Sequence, residues 1–332
     1  MIVNKIFAIL RLLSIIKLKP QKKRGNKKGD IMKVYENITD IIGKTPIISL
    51  KQIAPNLYGK CEFLNPSHSV KDRAAYAMID EALKSGKINS NTTIVECTSG
   101  NMGISLAMIC ASLGLKIILT MPESMSIERR KMVQLFGAKL ELTPASEGMK
   151  GALNKANEIL ANTPNSFMPS QFSNLANKEM HKRTTAVEIW DSFGADLDYF
   201  VAGFGTGGTI SGVGEVLKEK NPSVKIIGVE PAASPLLSKG QAGGHKIQGI
   251  GANFIPEILN RSVIDEIMCV ENDDAIAMAQ KLGKIGIMVG ISSGANVSAA
   301  LQIARAHSDK TILTVLNDTA ERYLSTDLFN TL

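Results

Sequence analysis

The residue with the clearest chemical potential is Lys71, in the run Asn65-Pro66-Ser67-His68-Ser69-Val70-Lys71-Asp72-Arg73. Asn65-Pro66 forms a turn, and the run from Arg73 to Lys84 combines strong helix formers with a repeating apolar face. With Ser69 as cap, Lys71 falls in the first helical turn. The positive end of the helix dipole disfavours a cation there and favours a neutral amine. Only a free amine attacks a carbonyl, so a lysine of lowered pKa is what imine chemistry requires. Asp72 and Arg73 can be solvated or paired while Lys71 faces a cleft. Taken alone, Lys71 reads as one more surface lysine; three polar, glycine-bearing loops further along the chain complete a site around it.

The first loop is Thr98-Ser99-Gly100-Asn101. Two hydroxyls, a carboxamide and the N–H groups of a helix start can receive a carboxylate, although a plain N-cap would read the same way. The second is Gly203-Phe204-Gly205-Thr206-Gly207-Gly208-Thr209, whose glycines let successive backbone N–H groups wrap a phosphate at a helix start. It lacks the Gly-Lys-Ser/Thr ending of a nucleoside-triphosphate loop. Gly203, Gly205 and Gly208 do match G-x-G-x-x-G, and Glu230 ends the following strand, so a nicotinamide dinucleotide site is a rival on this motif. The third is Gly290-Ile291-Ser292-Ser293-Gly294, where a serine hydroxyl could meet a heteroaromatic nitrogen; Ser293 reads as a capping serine.

These loops need strands and helices to carry them, and the chain alternates accordingly. Strands are expected at 47–50, 57–63, 93–96, 116–121, 139–143, 199–202, 224–230, 287–289 and 311–316. Helices are expected at 73–84, from the first loop to 113, and at 124–136, 148–161, 177–192, 209–220, 273–282 and 294–306, with loop-rich sequence over 231–256. Such alternation implies βαβ units and a mainly parallel sheet, and ligands then bind at the carboxyl ends of the strands. Two such runs, on either side of about Asn174, imply two α/β layers with a cleft between them.

The chain has 332 residues, enough for one large domain or two ordinary ones, and a formal net charge of +7. Nine of its 38 basic residues and one of its 31 acidic residues fall within 1–30, which leaves 29 against 30 in the body. The excess charge belongs to the leader, and the body carries no nucleic-acid signature. The leader's apolar stretch, Ile6 to Leu18, is interrupted by Arg11 and Lys17 and is too short and too charged to span a bilayer. It reads as a tail or an upstream translation start ahead of Met32, with a surface membrane anchor as the third choice. The four cysteines have no C-x-x-C spacing and suit reduced thiols in the cytoplasm, and the four histidines offer no metal cluster.

Taken in order, the stretches NPSHSVKDR, TSGN, MPESMSIERRK, SQFSN, GFGTGGTISGVG, HKIQGIGANFIP, GISSGA and ERYLST resemble the cysteine synthase (O-acetylserine sulfhydrylase) family of pyridoxal-phosphate enzymes, from Met32 onward. The resemblance implies fold type II: two open, twisted, mainly parallel α/β domains, 32–42 plus 64–174 and 43–63 plus 175–332, with pyridoxal 5'-phosphate in the cleft. It implies that Lys71 forms the Schiff base, that Gly205, Thr206, Gly207, Gly208 and Thr209 hold the phosphate, and that Ser292 meets the pyridine nitrogen and Asn101 the ring hydroxyl. Thr98, Ser99, Gly100, Asn101 and Gln171 would receive the substrate carboxylate. The implied reaction is β-replacement of the acetate of O-acetyl-L-serine by sulfide, through an aminoacrylate, to give L-cysteine. A cystathionine β-synthase-like enzyme using serine and homocysteine, or a cofactor-binding homologue of impaired turnover, are the alternatives. The resemblance also implies a homodimer and, in the cleft, the carboxyl-terminal tail of a serine acetyltransferase. Two departures stand out. Met102 replaces the threonine that usually follows T-S-G-N, and Leu316-Asn317-Asp318-Thr319-Ala320 replaces the usual P-[DS]-x-G before E-R-Y-L-S-T, which predicts a reshaped turn near the pyridine ring.

Overall fold

In a computed structural model the described residues are 34–98 and 100–330; the leader and Ser99 lie outside them. Ten strands form two sheets. They are β1 (Ile47–Ser49), β2 (Leu57–Cys61), β3 (Thr93–Cys97), β4 (Lys116–Pro122), β5 (Lys139–Thr143), β6 (Ser166–Phe167), β7 (Tyr199–Gly203), β8 (Lys225–Pro231), β9 (Glu266–Val270) and β10 (Ile312–Leu316). The six-stranded sheet runs β1-β2-β10-β7-β8-β9 and the four-stranded sheet β5-β4-β3-β6. Every pairing is parallel except β1 with β2. The central strand β10 is buried at all five positions, as a strand covered on both faces must be.

Each sheet has its own apolar core. Helix Asn101–Leu113 packs against β3 and β4 and helix Lys71–Lys84 against that helix, so that Met78, Ile79, Ile104 and Leu106 share one core. Helix Ile291–Ala306 packs Val297, Ala300 and Leu301 against the larger sheet. Asn174 caps helix Leu175–Arg183 through a 3.0 Å bond from the Ala176 N–H, and this helix leads from the smaller sheet to the larger.

Four sequence expectations need correction. The single helix over 177–192 is two, Leu175–Arg183 and Thr185–Phe193, because Thr184 turns its hydroxyl back onto the Met180 carbonyl (2.6 Å) and leaves helical geometry. The strand at 287–289 is absent: that segment is a loop into the next helix, its short apolar run having no neighbouring strand to pair with. Strands β6 and β9 lie where none was expected, since β6 is two residues long and β9 carries an exposed glutamate in an otherwise half-buried row. The loop-rich stretch contains a short helix, Leu236–Lys239, held by Glu230, whose carboxylate accepts from the Leu237 and Ser238 N–H groups (3.0 and 3.1 Å). That occupation removes Glu230 from the ribose role that a dinucleotide site would need.

Candidate active site

A cavity lies among the carboxyl ends of β3, β7 and β10. Its wall contains Lys71, Asn101, Gly205, Thr206, Gly207, Gly208, Thr209 and Ser292. Thr98, Gly100 and Gln171 are not on that wall. Thr98 is buried and its hydroxyl accepts from the Gly100 N–H (3.3 Å). The Gln171 carbonyl accepts from the Asn177 side chain (2.9 Å).

Lys71 opens its helix, in the first turn as expected; the N-cap is Val70 and not Ser69, whose hydroxyl accepts from the Lys71 N–H at 3.2 Å. Its two neighbours are buried and paired, not solvated. Asp72 accepts from the Ser67 N–H (2.7 Å), the Ser67 hydroxyl and the Ser105 hydroxyl (2.5 Å). The Arg73 guanidinium forks onto Glu62 (2.7 and 2.8 Å) and onto Glu188 (2.8 Å twice), with Lys60 on the far side of Glu188 at 2.6 Å. Burial pushes the Glu62 carboxyl up, but the Arg73 charge outweighs it and holds the group at about 2. Lys71, just ahead of these two anchored residues, lies on the cavity wall, where burial lowers its amine pKa; the Asp318 carboxylate offsets this in part.

Asn101 is fixed by residues of the departing turn and of the ERYLST stretch, for which the motifs predicted no role. Its Nδ2 donates to Asp318 (2.6 Å) while its Oδ1 accepts from Arg322 (2.7 Å). Tyr323 also donates to Asp318 (2.5 Å), and Arg322 reaches the Ser67 carbonyl (2.7 Å). One N–H of the Asn101 amide is thereby committed, which leaves one donor on a residue of the cavity wall.

At the opposite end, Gly207 has φ +83°, and helix Gly208–Lys220 follows directly. Its first N–H groups have no intrahelical acceptor, which makes the turn a receptor for an anion. A Cβ on Gly205 would meet the Gly249 carbonyl oxygen at 2.5 Å, so only glycine allows this loop to lie so close. Two buried residues behind the loop escaped the sequence motifs. Asn177 donates to the Thr206 hydroxyl (3.1 Å). His181 lies 3.2 Å from the Thr209 hydroxyl and 2.9 Å from that of Thr185; burial drives its pKa down to about 3, so the ring is neutral. Polar residues on the buried face of an amphipathic helix are the signal that could have found them.

Ser292 and Ser293 occupy the first turn of helix Ile291–Ala306 rather than a loop after a strand. The Ser293 hydroxyl accepts from the Asn317 N–H (2.8 Å), so it does not cap its own helix. Met102 is 1% exposed in the core of the smaller lobe and is not on the cavity wall.

A nucleophilic amine, a phosphate-sized glycine turn and a lone hydroxyl between them suit an aldehyde-bearing, phosphorylated heteroaromatic ring. The comparisons agree. Residues 38–318 match the family model described as pyridoxal-phosphate dependent enzyme. The cysteine synthase B of Campylobacter jejuni is 69% identical over 298 residues, covering 90% of this chain and all of that protein. The chain belongs to the cysteine synthase family of pyridoxal-phosphate enzymes. Among solved structures, the cysteine synthase of Entamoeba histolytica superposes with a TM-score of 0.87 at 39% identity, covering 92% of this chain and 94% of that one. An O-acetylserine dependent cystathionine beta-synthase from Helicobacter pylori gives 0.84 at 40% identity, covering 90% and 100%. Pyridoxal phosphate is the cofactor of this family, and the residues of the cavity fit it. The dehydrogenase reading of the glycine loop is set aside.

Proposed function

We propose that this chain is an O-acetylserine sulfhydrylase, converting O-acetyl-L-serine and sulfide into L-cysteine and acetate. The observation that carries the reading is a buried amine of lowered pKa, Lys71, in one cavity with the glycine turn 205–209. Gly205 to Thr209 would take the phosphate on backbone N–H groups, Ser292 the ring nitrogen, and the free N–H of Asn101 the ring hydroxyl. When bound, the cofactor supplies an electron-withdrawing ring that takes up the electron pair of the broken α-C–H bond. Lys71 Nζ removes the α-proton as a general base and can return it after the nucleophile has added. Between those events the β-carbon loses its bond to acetate oxygen and gains one to sulfur. A neutral Ser292 hydroxyl does not hold the ring nitrogen protonated as a carboxylate would, so negative charge on the ring is less stabilised, which favours elimination over prolonged carbanion chemistry. Thr98, Ser99, Gly100, Asn101 and Gln171 are proposed to receive the substrate carboxylate, the N–H groups at the start of helix Asn101–Leu113 contributing.

The test is a visible spectrum of the protein loaded with pyridoxal phosphate, with product analysis. The absorption band should shift on O-acetylserine and return on sulfide, with cysteine and acetate formed in equal amounts. A second reading, homocysteine in place of sulfide, draws on the likeness to the Helicobacter enzyme; cystathionine as the favoured product would establish it. A band unmoved by any amino acid would support the homologue of impaired turnover. The buried position of Met102 argues against that reading, because its side chain fills the core and not the site. Met102→Thr should cost about 1–3 kcal/mol of stability and leave turnover unchanged; a large gain in turnover would restore the impaired-enzyme reading.

The body is proposed to work in the cytoplasm as a homodimer, with the carboxyl-terminal tail of a serine acetyltransferase as a candidate ligand of the cleft. Among the described residues no helix is long and apolar enough to cross a membrane. The four cysteines are free thiols.

A further inference from the structure

Asn317 stands where the resemblance leads one to expect proline, and it joins three parts of the site. Its side-chain amide donates to the Ser292 hydroxyl at 3.1 Å. Its N–H donates to the Ser293 hydroxyl at 2.8 Å, a bond that proline, having no N–H, cannot make. Its carbonyl accepts from the Val70 N–H at 2.9 Å, one residue before Lys71. Asn317 also lies on the cavity wall, and Ser292 is 3% exposed beside it.

We infer that Asn317 is a positioning residue that sets the direction of the Ser292 hydroxyl and, through it, the protonation of the group that Ser292 meets. A hydroxyl has one hydrogen and two acceptor lone pairs. With the Asn317 amide donating into one lone pair, the Ser292 hydrogen is turned away from Asn317 and toward the cavity. Ser292 then acts as a donor, and a donor selects an unprotonated ring nitrogen. An acceptor at position 317 would take the Ser292 hydrogen for itself. It would leave lone pairs facing the cavity, which select a protonated nitrogen. The inference rests on the pyridoxal-phosphate reading of the cavity. The two main-chain bonds of Asn317 do not depend on its side chain, so a substitution there leaves the turn tied to Ser293 and Val70.

The experiment loads the protein with pyridoxal phosphate labelled with ¹⁵N in the ring and records the nitrogen resonance in the wild type, Asn317→Asp and Asn317→Ala. The melting temperature of each apoprotein checks the fold. The wild-type resonance should sit in the unprotonated range. Asn317→Asp should move it toward the protonated range and raise the pH at which it titrates. Asn317→Ala should leave it unprotonated but weaken cofactor binding about 2- to 10-fold, the worth of one hydrogen bond. A protonated wild-type nitrogen, or a resonance unmoved in Asn317→Asp, would overturn the inference while leaving the cofactor assignment standing. Failure of the wild type to bind the labelled cofactor at all would overturn both.

Discussion

The two ends of the cavity are built from opposite materials. At the lysine end, position is set by side chains: Arg73 is gripped by Glu62 and Glu188, Asp72 by Ser67 and Ser105, and Lys71 directly precedes them at the start of the same helix. At the glycine end, position is set by backbone: Gly207 takes a left-handed conformation and Gly205 lies against the Gly249 carbonyl, with side chains such as Asn177 and His181 only behind the loop. The difference follows from what each end is proposed to hold. A covalent bond to a small, mobile amine needs that amine fixed and neutral: the anchored Asp72 and Arg73 hold the start of its helix, and burial disfavours its charge. A dianion needs several donors at once, which a helix start provides without any cation.

The lysine end is the more fragile chemically. Lys71→Ala should lower turnover by about 100- to 10,000-fold, the range for loss of a general base, measured as product formed per enzyme under saturating substrate. Weak cofactor binding should survive, because the glycine end is untouched. If cofactor binding disappeared as well, the two ends would not be separable as described.

Arg73→Met tests the scaffold of that same end. It leaves Glu62 buried beside no guanidinium, and breaking a buried pair from one side costs about 3–5 kcal/mol. Urea unfolding should register that loss. A cost below about 1 kcal/mol, the level of a surface pair, would mean that Lys60 and Thr45 suffice to hold Glu62. Gly205→Ala tests the opposite end. The added methyl meets the Gly249 carbonyl oxygen at 2.5 Å, so the loop must shift, at a cost of about 1–3 kcal/mol. The effect should fall on phosphate-dependent cofactor affinity, read by equilibrium titration, while the lowered pKa of Lys71 persists.

The glycine end was far more legible in the sequence than the lysine end. Gly205, Gly207 and Gly208 announce their geometry because few other residues tolerate it, and the loop sits where it was expected. The lysine end shows its motif, with Ser67, Asp72 and Arg73 beside Lys71, but hides the carboxylates that hold it. Glu62, Glu188 and Asp318 lie 11, 115 and well over 200 residues away from the residues they hold, as the pairs Arg73–Glu62, Arg73–Glu188 and Asn101–Asp318 show. Only tertiary packing brings such carboxylates together, so no local periodicity reveals them. The same reason explains Asn317. The departure from the expected turn was visible, but its hydrogen bond to Ser292 joins two chain segments that meet only in the fold. Strand β9 escaped because its half-buried pattern is weak, whereas β3 and β4, with their apolar runs, did not.

A second buried carboxylate on the same side sharpens the role of Arg73. Glu96 is the penultimate residue of β3, two positions before Thr98; it is 4% exposed and accepts from the Ser170 N–H at 2.9 Å. No guanidinium balances its burial, and its pKa rises to about 8 where that of Glu62 falls to about 2. Between the model-peptide value of 4.5 and about 8 the folded chain therefore holds a proton that the unfolded chain has released. Raising the pH through that window favours the unfolded state, by at most about 1.4 kcal/mol per pH unit from this group. Glu96→Gln keeps an acceptor for Ser170 and removes the titration. Urea unfolding between pH 5 and 8 should show the wild type losing stability relative to Glu96→Gln as pH rises, with the two converging at the acid end. Parallel curves would mean that Glu96 is already ionised near neutrality, and burial without a cationic partner would then not be what separates it from Glu62.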